Sequence, residues 1–363
     1  MNEFCILFGS GLLFLERHDI INLLRNEENY VSVFQERVSV MLDLAIIVPC
    51  YNEEAAIQDV LEHLTSVLSS SFSRESCMIY VYDNNSNDRT SDIVTAFSRS
   101  HLNVELRHTY KQGKGFAMRE AFQEINARCY CMIDGDATYD ASKLREMYDL
   151  IISKKADMVI GDRLSTSYFS ENKRRFHNFG NRLVKWAVNV LFGVHYNDIL
   201  SGLRTFSYGF VKTFPITSGG FTLETEMNVH AVSHGMSVCD VPVDYKDRKE
   251  GSESKLDTIP DGLRVIKKII AMTSLYRPVL FYGCITAILF ALGIGFGIPV
   301  LLEYFATGKV AKFPTLIVCG FTILAGLLNF FMGLLQHSNN MHYCQQFEQS
   351  YIDHITHFVE MTE

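Results

Sequence analysis

From residue 43 onward, short apolar runs alternate with amphipathic ones. LAIIVP (44–49) predicts a buried strand, the run from about Glu53 to Leu68 a helix, MIYVYD (78–83) a second strand, and Asp88 to Phe97 a helix with Asn87 and Asp88 as polar caps. HLNVELRHT predicts a third strand, GKGFAMREAFQEI a third helix and CYCMID a fourth strand. Strands separated by helices imply an α/β fold with parallel strands and right-handed crossovers. On such sheets ligands collect beyond the carboxyl ends of the strands. Three of these four strands run straight into polar chemistry, as PCYNEE, YDNNSND and DGDATYD.

The pattern then changes. ADMVIGDR (156–163) predicts another strand, NKRRFHNFGNRLVKW leads into a helix, and VCDVPVDY is extended before a charged loop with Gly and Ser. In DGLRVIKKIIAMTSLY (261–276), Leu263, Ile266, Ile269 and Ile270 fall near one helical face, with Arg264, Lys267 and Lys268 elsewhere, as in an amphipathic helix on a membrane surface. Residues 279–302 and 313–336 carry no charged side chain. Each is long enough to cross a bilayer core, which needs about 20 helical residues. The expected division is an N-terminal extension (1–42), a catalytic domain (43–258), the amphipathic helix (259–278), a two-helix transmembrane hairpin (279–336) and a C-terminal tail (337–363). Two spans leave both flanks on one side. Arg264, Lys267, Lys268 and Arg277 before the first span, against Lys309 and Lys312 in the hairpin, place that side in the cytoplasm, making a multi-pass protein of the cytoplasmic membrane. FCILFGSGLLFLE near the start lacks a preceding basic residue and is not expected to be a secretory signal; no role is assigned to residues 1–42.

Composition sharpens this only in part. The chain has 363 residues, of which 48% are hydrophobic, and the excess lies in the two apolar segments. A net charge of -8 excludes a general nucleic-acid binder. Nine scattered cysteines with no C-x-x-C suit a reducing compartment.

The strongest chemical signal is Asp134 and Asp136. Two positions apart on extended chain, their side chains share a face and repel unless a cation lies between them. A divalent metal with oxygen ligands, Mg²⁺ or Mn²⁺, shared with a phosphate-bearing substrate, fits that pair. Glu224 and Glu226 could take a proton from a hydroxyl acceptor or position other groups. His230 and His234 form H-x-x-x-H without the H-E-x-x-H of zinc proteases, so both are expected to be core or surface residues.

In order, IIVPCYNEE, YDNNSNDRT, QGKGFA, MIDGDATYD, DILSGLR and YKDRKEGSESKL resemble the motifs of family 2 glycosyltransferases with the GT-A fold, over about residues 43–275. Among these the chain most resembles the membrane-attached enzymes that make polyprenyl-phosphate sugars, dolichyl-phosphate mannose synthases among them. The resemblance implies that Pro49, Tyr51 and Glu53 embrace the nucleoside and that Asp83 accepts a hydrogen bond from its base. It implies that Lys114 lies near the donor, that Asp134 and Asp136 hold the metal, and that Arg204, with Asp198, serves the acceptor side. It also implies that Arg248, Ser254 and Lys255 clamp the diphosphate. Many relatives have a second aspartate where Asn84 stands and a glutamine where Thr138 stands. The implied reaction is inverting transfer of a sugar from a nucleotide-diphosphate sugar to polyprenyl phosphate, with membrane lipids as surroundings and room for a homo-oligomer. A hydroxyl acceptor on a soluble molecule, glycan or protein is the alternative. A processive polysaccharide synthase would carry Q-x-x-R-W, whereas the single tryptophan, Trp186, follows Lys185.

Overall fold

The computed structural model describes residues 3–8, 11–16, 41–165, 185–217, 223–246 and 258–362. The first unit, Met1–Met41, contains an antiparallel pair, β1 (Glu3–Phe8) and β2 (Gly11–Glu16), with Glu3 opposite Glu16 and Phe8 opposite Gly11.

In the second unit, β3 (Leu42–Cys50) lies at the heart of a sheet ordered β5-β4-β3-β6-β8-β7-β9. Its run Leu44 to Val48 is wholly buried, because both faces of the strand are covered and no polar alternation is needed. β4 (Cys77–Asp83) and β5 (Val104–His108) extend the sheet to one side, and the chain then returns to place β6 (Ala127–Met132) on the other side of β3. These four strands are parallel, as the alternation predicts. That reversal leaves a crevice beyond the carboxyl ends of β3 and β6, the ends that carry PCYNEE and DGD. Beyond β6 the sheet is mixed: β8 (Arg204–Ser207) runs antiparallel to both β6 and β7 (Met158–Asp162), and β9 (Val238–Pro242) is parallel to β7.

The helices between the first strands are α1 (Ile57–Ser71), α2 (Thr90–Ser98) and α3 (Lys114–Glu124). α1 buries Ile57, Val60, Leu61, Leu64, Val67 and Leu68, the stripe expected of a helix on a sheet. Each such side chain, fully buried, contributes about 1.5–3 kcal/mol. α1 starts at Ile57, later than the sequence pattern suggests, because the Glu53 carbonyl accepts from the Ala56 and Ile57 amides and residues 51–56 form a turn. α4 (Leu144–Ile152) covers the sheet with Leu144, Met147, Tyr148 and Ile151. After a helical stretch at 185–192 come α5 (Tyr208–Thr213) and α6 (Leu223–Ser233).

α7 (Thr258–Tyr276) buries Ile269, Met272 and Thr273, whereas Ile270 is 51% exposed. Of the apolar positions Leu263, Ile266, Ile269 and Ile270 expected on a membrane surface, Ile269 packs into the protein with Met272 and Ile270 points outward. α8 (Pro278–Thr307) and α9 (Phe313–Thr362) are both long and apolar enough to cross a membrane. They pack closely through small residues: a Cβ on Gly326 would strike the Phe290 ring, and one on Gly333 would strike Tyr282. Asn329 Nδ2 donates across the pair to the Tyr282 carbonyl (2.8 Å) and to Thr286 Oγ1 (2.9 Å). Residues 337–362 continue α9 without interruption, so the expected C-terminal tail is helix.

Candidate active site

The loops after β3 and β4 are stitched into one wall. Asn52 takes a left-handed φ of 52°, tolerated by asparagine, and its amide donates to Ser86 Oγ (2.9 Å) while its Oδ1 accepts from the Asn87 amide (2.8 Å). The Glu53 amide donates to Thr90 Oγ1 (2.9 Å) and the Glu54 amide to Asp88 Oδ2 (3.0 Å). Asp88 also accepts from the Thr90 amide and hydroxyl, so it organises the start of α2 as the sequence suggests. Pro49 is the last residue but one of β3, Tyr51 is half-buried just beyond the strand, and Glu53 is buried. Asp83, at the end of β4, accepts from Ser91 Oγ (2.6 Å) and the Ser86 amide (3.2 Å), with His108 Nδ1 3.4 Å away.

Asn84 explains one departure from the family pattern. Its Nδ2 donates to the Lys111 carbonyl (2.7 Å) and its Oδ1 accepts from the Gly113 amide. An aspartate could accept but not donate, so the amide is the side chain that pins both ends of this loop. Gly113 has φ of 136°, a conformation glycine adopts at little cost, and it delivers Lys114 to the first position of α3.

Lys114 sits at the centre of the crevice. Its Nζ is 2.6 Å from Asp134 Oδ1 and 2.7 Å from Glu224 Oε1. Burial opposes the ammonium charge, but the two carboxylates outweigh it and hold Lys114 well above the ordinary lysine value. Asp136 is buried, and its Oδ1 accepts from Thr138 Oγ1 (2.6 Å) and the Thr138 amide (3.2 Å), which gives the shorter Thr138 a definite role in fixing that carboxylate.

Two glycines are dictated by close approach. A Cβ on Gly135 would meet Cys50 Sγ at 2.5 Å, and one on Gly202 would run into the Asp134 carboxylate. The S-G-L-R segment therefore backs directly on the acidic pair, and the Gly202 amide donates to Tyr139 OH (2.7 Å).

Arg204 is held by backbone and amide oxygens. It is fully buried; Nε donates to the Ser201 carbonyl (2.9 Å), Nη2 to the Ile199 carbonyl (2.7 Å) and Nη1 to Asn228 Oδ1 (3.1 Å). Burial pulls its guanidinium below the ordinary value. It shapes the 198–203 loop from behind. Asp198, six residues upstream, pairs with Arg163 at 2.8 Å. Glu226 is occupied by Thr217, whose hydroxyl donates to Oε1 (2.7 Å) and whose amide donates to Oε2 (3.3 Å). Arg248, Ser254 and Lys255 lie outside the described residues.

The Cys50 thiol reports the field of the site. Burial pushes it well up, and Glu53, Asp83, Asp134 and Asp136 push it further, so four carboxylates act on one point. A diphosphate entering such a field requires cations. Asp134 and Asp136 offer the hard oxygen donors that suit Mg²⁺ or Mn²⁺, and among the described residues no group of three or more His, Cys, Asp or Glu gathers as a metal cage. Two protein carboxylates with the remaining positions left for phosphate oxygens and water is the usual way a protein holds Mg²⁺.

The model for the glycosyl transferase family 2 matches residues 45–218. Glycosyltransferase AglJ of Haloferax volcanii is 31% identical over 262 residues, 72% of this chain and 82% of that protein. A dolichyl-phosphate hexose transferase of the same organism is 26% identical over 63% of this chain and 92% of that protein. Glucosyl-3-phosphoglycerate synthase from Mycobacterium tuberculosis, solved with Mn²⁺, uridine diphosphate and phosphoglyceric acid, superposes with a TM-score of 0.51 at 15% identity, covering 65% of this chain and 80% of that one, a likeness of fold. With sequence relatives, strand order and acidic crevice in agreement, the chain belongs to the family 2 glycosyltransferases and has their GT-A fold.

Proposed function

We propose that this glycosyltransferase transfers a sugar from a nucleotide-diphosphate sugar to a polyprenyl phosphate, giving a polyprenyl-phosphate sugar at the cytoplasmic face of the membrane. The observation that carries the reading is the Lys114 ammonium held between Asp134 and Glu224 in an acidic crevice, on a chain that continues into two apolar helices. Glu224 Oε1 accepts from Lys114 and Glu226 accepts from Thr217, so both glutamates hold other groups in place. That arrangement suits an acceptor that is already ionised, as a lipid phosphate is, better than a hydroxyl. The name of the dolichyl-phosphate hexose transferase relative supports the same acceptor class.

In this reading Asp134 and Asp136 hold a divalent cation, Mg²⁺ or Mn²⁺, which when bound offsets charge on the departing diphosphate. Pro49, Tyr51, Glu53 and Asp83 form the nucleoside side of the crevice, with Asp83 oriented by Ser86 and Ser91. Lys114 turns its ammonium toward the leaving oxygens, and Glu224 fixes its position. Arg248, Ser254 and Lys255 add the remaining positive charge around the diphosphate. Arg204 acts through the backbone it anchors. Attack on the face of the anomeric carbon opposite the leaving group inverts its configuration. Lys267 and Arg277, before the first span, orient the domain to the cytoplasm.

The test is transfer from a panel of radiolabelled nucleotide sugars to lipid extract by the full chain in membranes, with added polyprenyl phosphate and either Mg²⁺ or EDTA. Metal-dependent label that rises with added lipid phosphate is expected, and Asp136→Ala should lower it about 10³-fold with the protein still folded. Donor consumption with label only in soluble or protein fractions would move the acceptor to a hydroxyl.

A further inference from the structure

One stripe of α9 changes partner along its length. Its less exposed positions recur at every third or fourth residue between 315 and 361, a single seam along a helix of 50 residues. Up to residue 336 the seam packs on α8, through contacts such as Gly326 on Phe290 and Asn329 on Thr286. Asn340 Nδ2 then reaches the Tyr276 carbonyl (3.4 Å) at the end of α7. From there the same seam lies on the catalytic domain. The Phe347 ring centroid is 3.8 Å from that of His234 and 5.5 Å from that of His230, Tyr351 covers Gly209, and the Phe358 ring lies tilted against Tyr208 with centroids 4.9 Å apart.

The covered elements are α5, which carries Tyr208 and Gly209, and the C-terminal part of α6, which carries His230, with His234 one residue past its end; the first turn of the same α6 carries Glu224. No Gly or Pro interrupts residues 334–362, so α9 has no hinge between the candidate span and the domain it reaches. At about 75 Å in length, it exceeds a bilayer core by more than half of itself.

We propose that residues 340–361 form a strut that holds α5, through Tyr351 and Phe358, and the end of α6, through Phe347, and with α6 the Lys114–Glu224 pair, at a set height above the bilayer, so that these three are positioning residues for transfer to a lipid acceptor. The functional part rests on the acceptor reading above; the mechanical part does not. A phosphate anchored by its lipid chain arrives at a depth fixed by the membrane. A site carried on a rigid helix meets it there without a search, whereas a water-soluble acceptor gains nothing from the height.

The test uses the full chain in lipid vesicles with Phe347→Ala and Phe347→Leu. Hydrogen exchange across residues 223–233 reads the mechanical part. Transfer to a long-chain polyprenyl phosphate in the vesicle and to a short, water-soluble one reads the functional part. Phe347→Ala is expected to speed exchange in 223–233 and to lower long-chain transfer about tenfold, through KM, while short-chain transfer persists; Phe347→Leu restores both. Unchanged exchange in Phe347→Ala overturns the strut. Equal loss with both acceptors overturns its positioning role and leaves only a packing contact. If the unsubstituted chain labels neither phosphate, the acceptor reading fails, and the exchange result still decides the strut.

Discussion

Two cations are buried within the same network, and they are held in opposite ways. Lys114 is gripped by carboxylates, Asp134 and Glu224, and its side chain keeps 16% of its exposure. Arg204 is gripped by the Ser201 and Ile199 carbonyls and by Asn228, and is fully buried. Both connect to α6, through Glu224 and Asn228 one turn apart. Charge partners in the crevice raise the ammonium above its ordinary value and leave it partly exposed, whereas carbonyl partners behind the crevice hold a guanidinium that burial has pushed down. Partner type, more than the residue in the motif, separates chemistry from architecture.

The comparison breaks most visibly at Lys114. Lys114→Met removes the cation that the proposed reaction sets beside the leaving group and should lower kcat about 10³-fold, with donor affinity measured alongside in steady-state assays. Near-normal turnover would make Lys114 another architectural cation. Arg204→Met should do the converse. It leaves the Ser201 carbonyl and the Asn228 amide oxygen without this buried donor, whereas the Ile199 carbonyl keeps the Asn228 amide, so denaturant unfolding should show a loss of about 3 kcal/mol, while the folded fraction keeps its KM for donor. A selective loss of acceptor affinity at full stability would return Arg204 to the site. The smallest effect lies at the far end of α6. Burial, with His234 beside it, lowers His230 from 6.5 to about 3, and burial lowers His234 as well, Glu348 pulling the other way. The unfolded chain therefore takes up protons below pH 6.5 that the folded His230 refuses until about pH 3, so stability falls as pH drops through that window. The limiting slope is about 1.4 kcal/mol per pH unit per group. His230→Phe, which keeps the ring among Phe210, Phe214 and Phe347, should flatten the acid limb of a stability profile measured in detergent.

What was legible in the sequence was local. The four parallel strands follow from apolar runs that carry their own signal, and the acidic pair from two aspartates one glycine apart. What was not legible depended on distance along the chain. Lys114 and Glu224 are 110 residues apart, and nothing in QGKG or TLETE announces the other. The burial of Arg204 was not legible in S-G-L-R because a guanidinium held by carbonyls leaves no trace in composition. Gly202 was the available clue, since a glycine beside a buried strand often marks close approach, here to Asp134. The polar stretch after residue 336 concealed a helix whose covered seam is built largely from polar and aromatic residues such as Asn340, Phe347 and Tyr351.

The product's linkage tests the central claim most directly. Labelled lipid formed by the full chain from its nucleotide sugar is to be treated with mild acid and, separately, with a glycosidase-resistant hydroxyl-linked standard alongside. A glycosyl phosphate, whose anomeric carbon bears a good leaving group, should release free sugar under acid that leaves the standard intact. Label that survives with the standard would show that the sugar went to a hydroxyl, and would contradict a phosphate acceptor in this site.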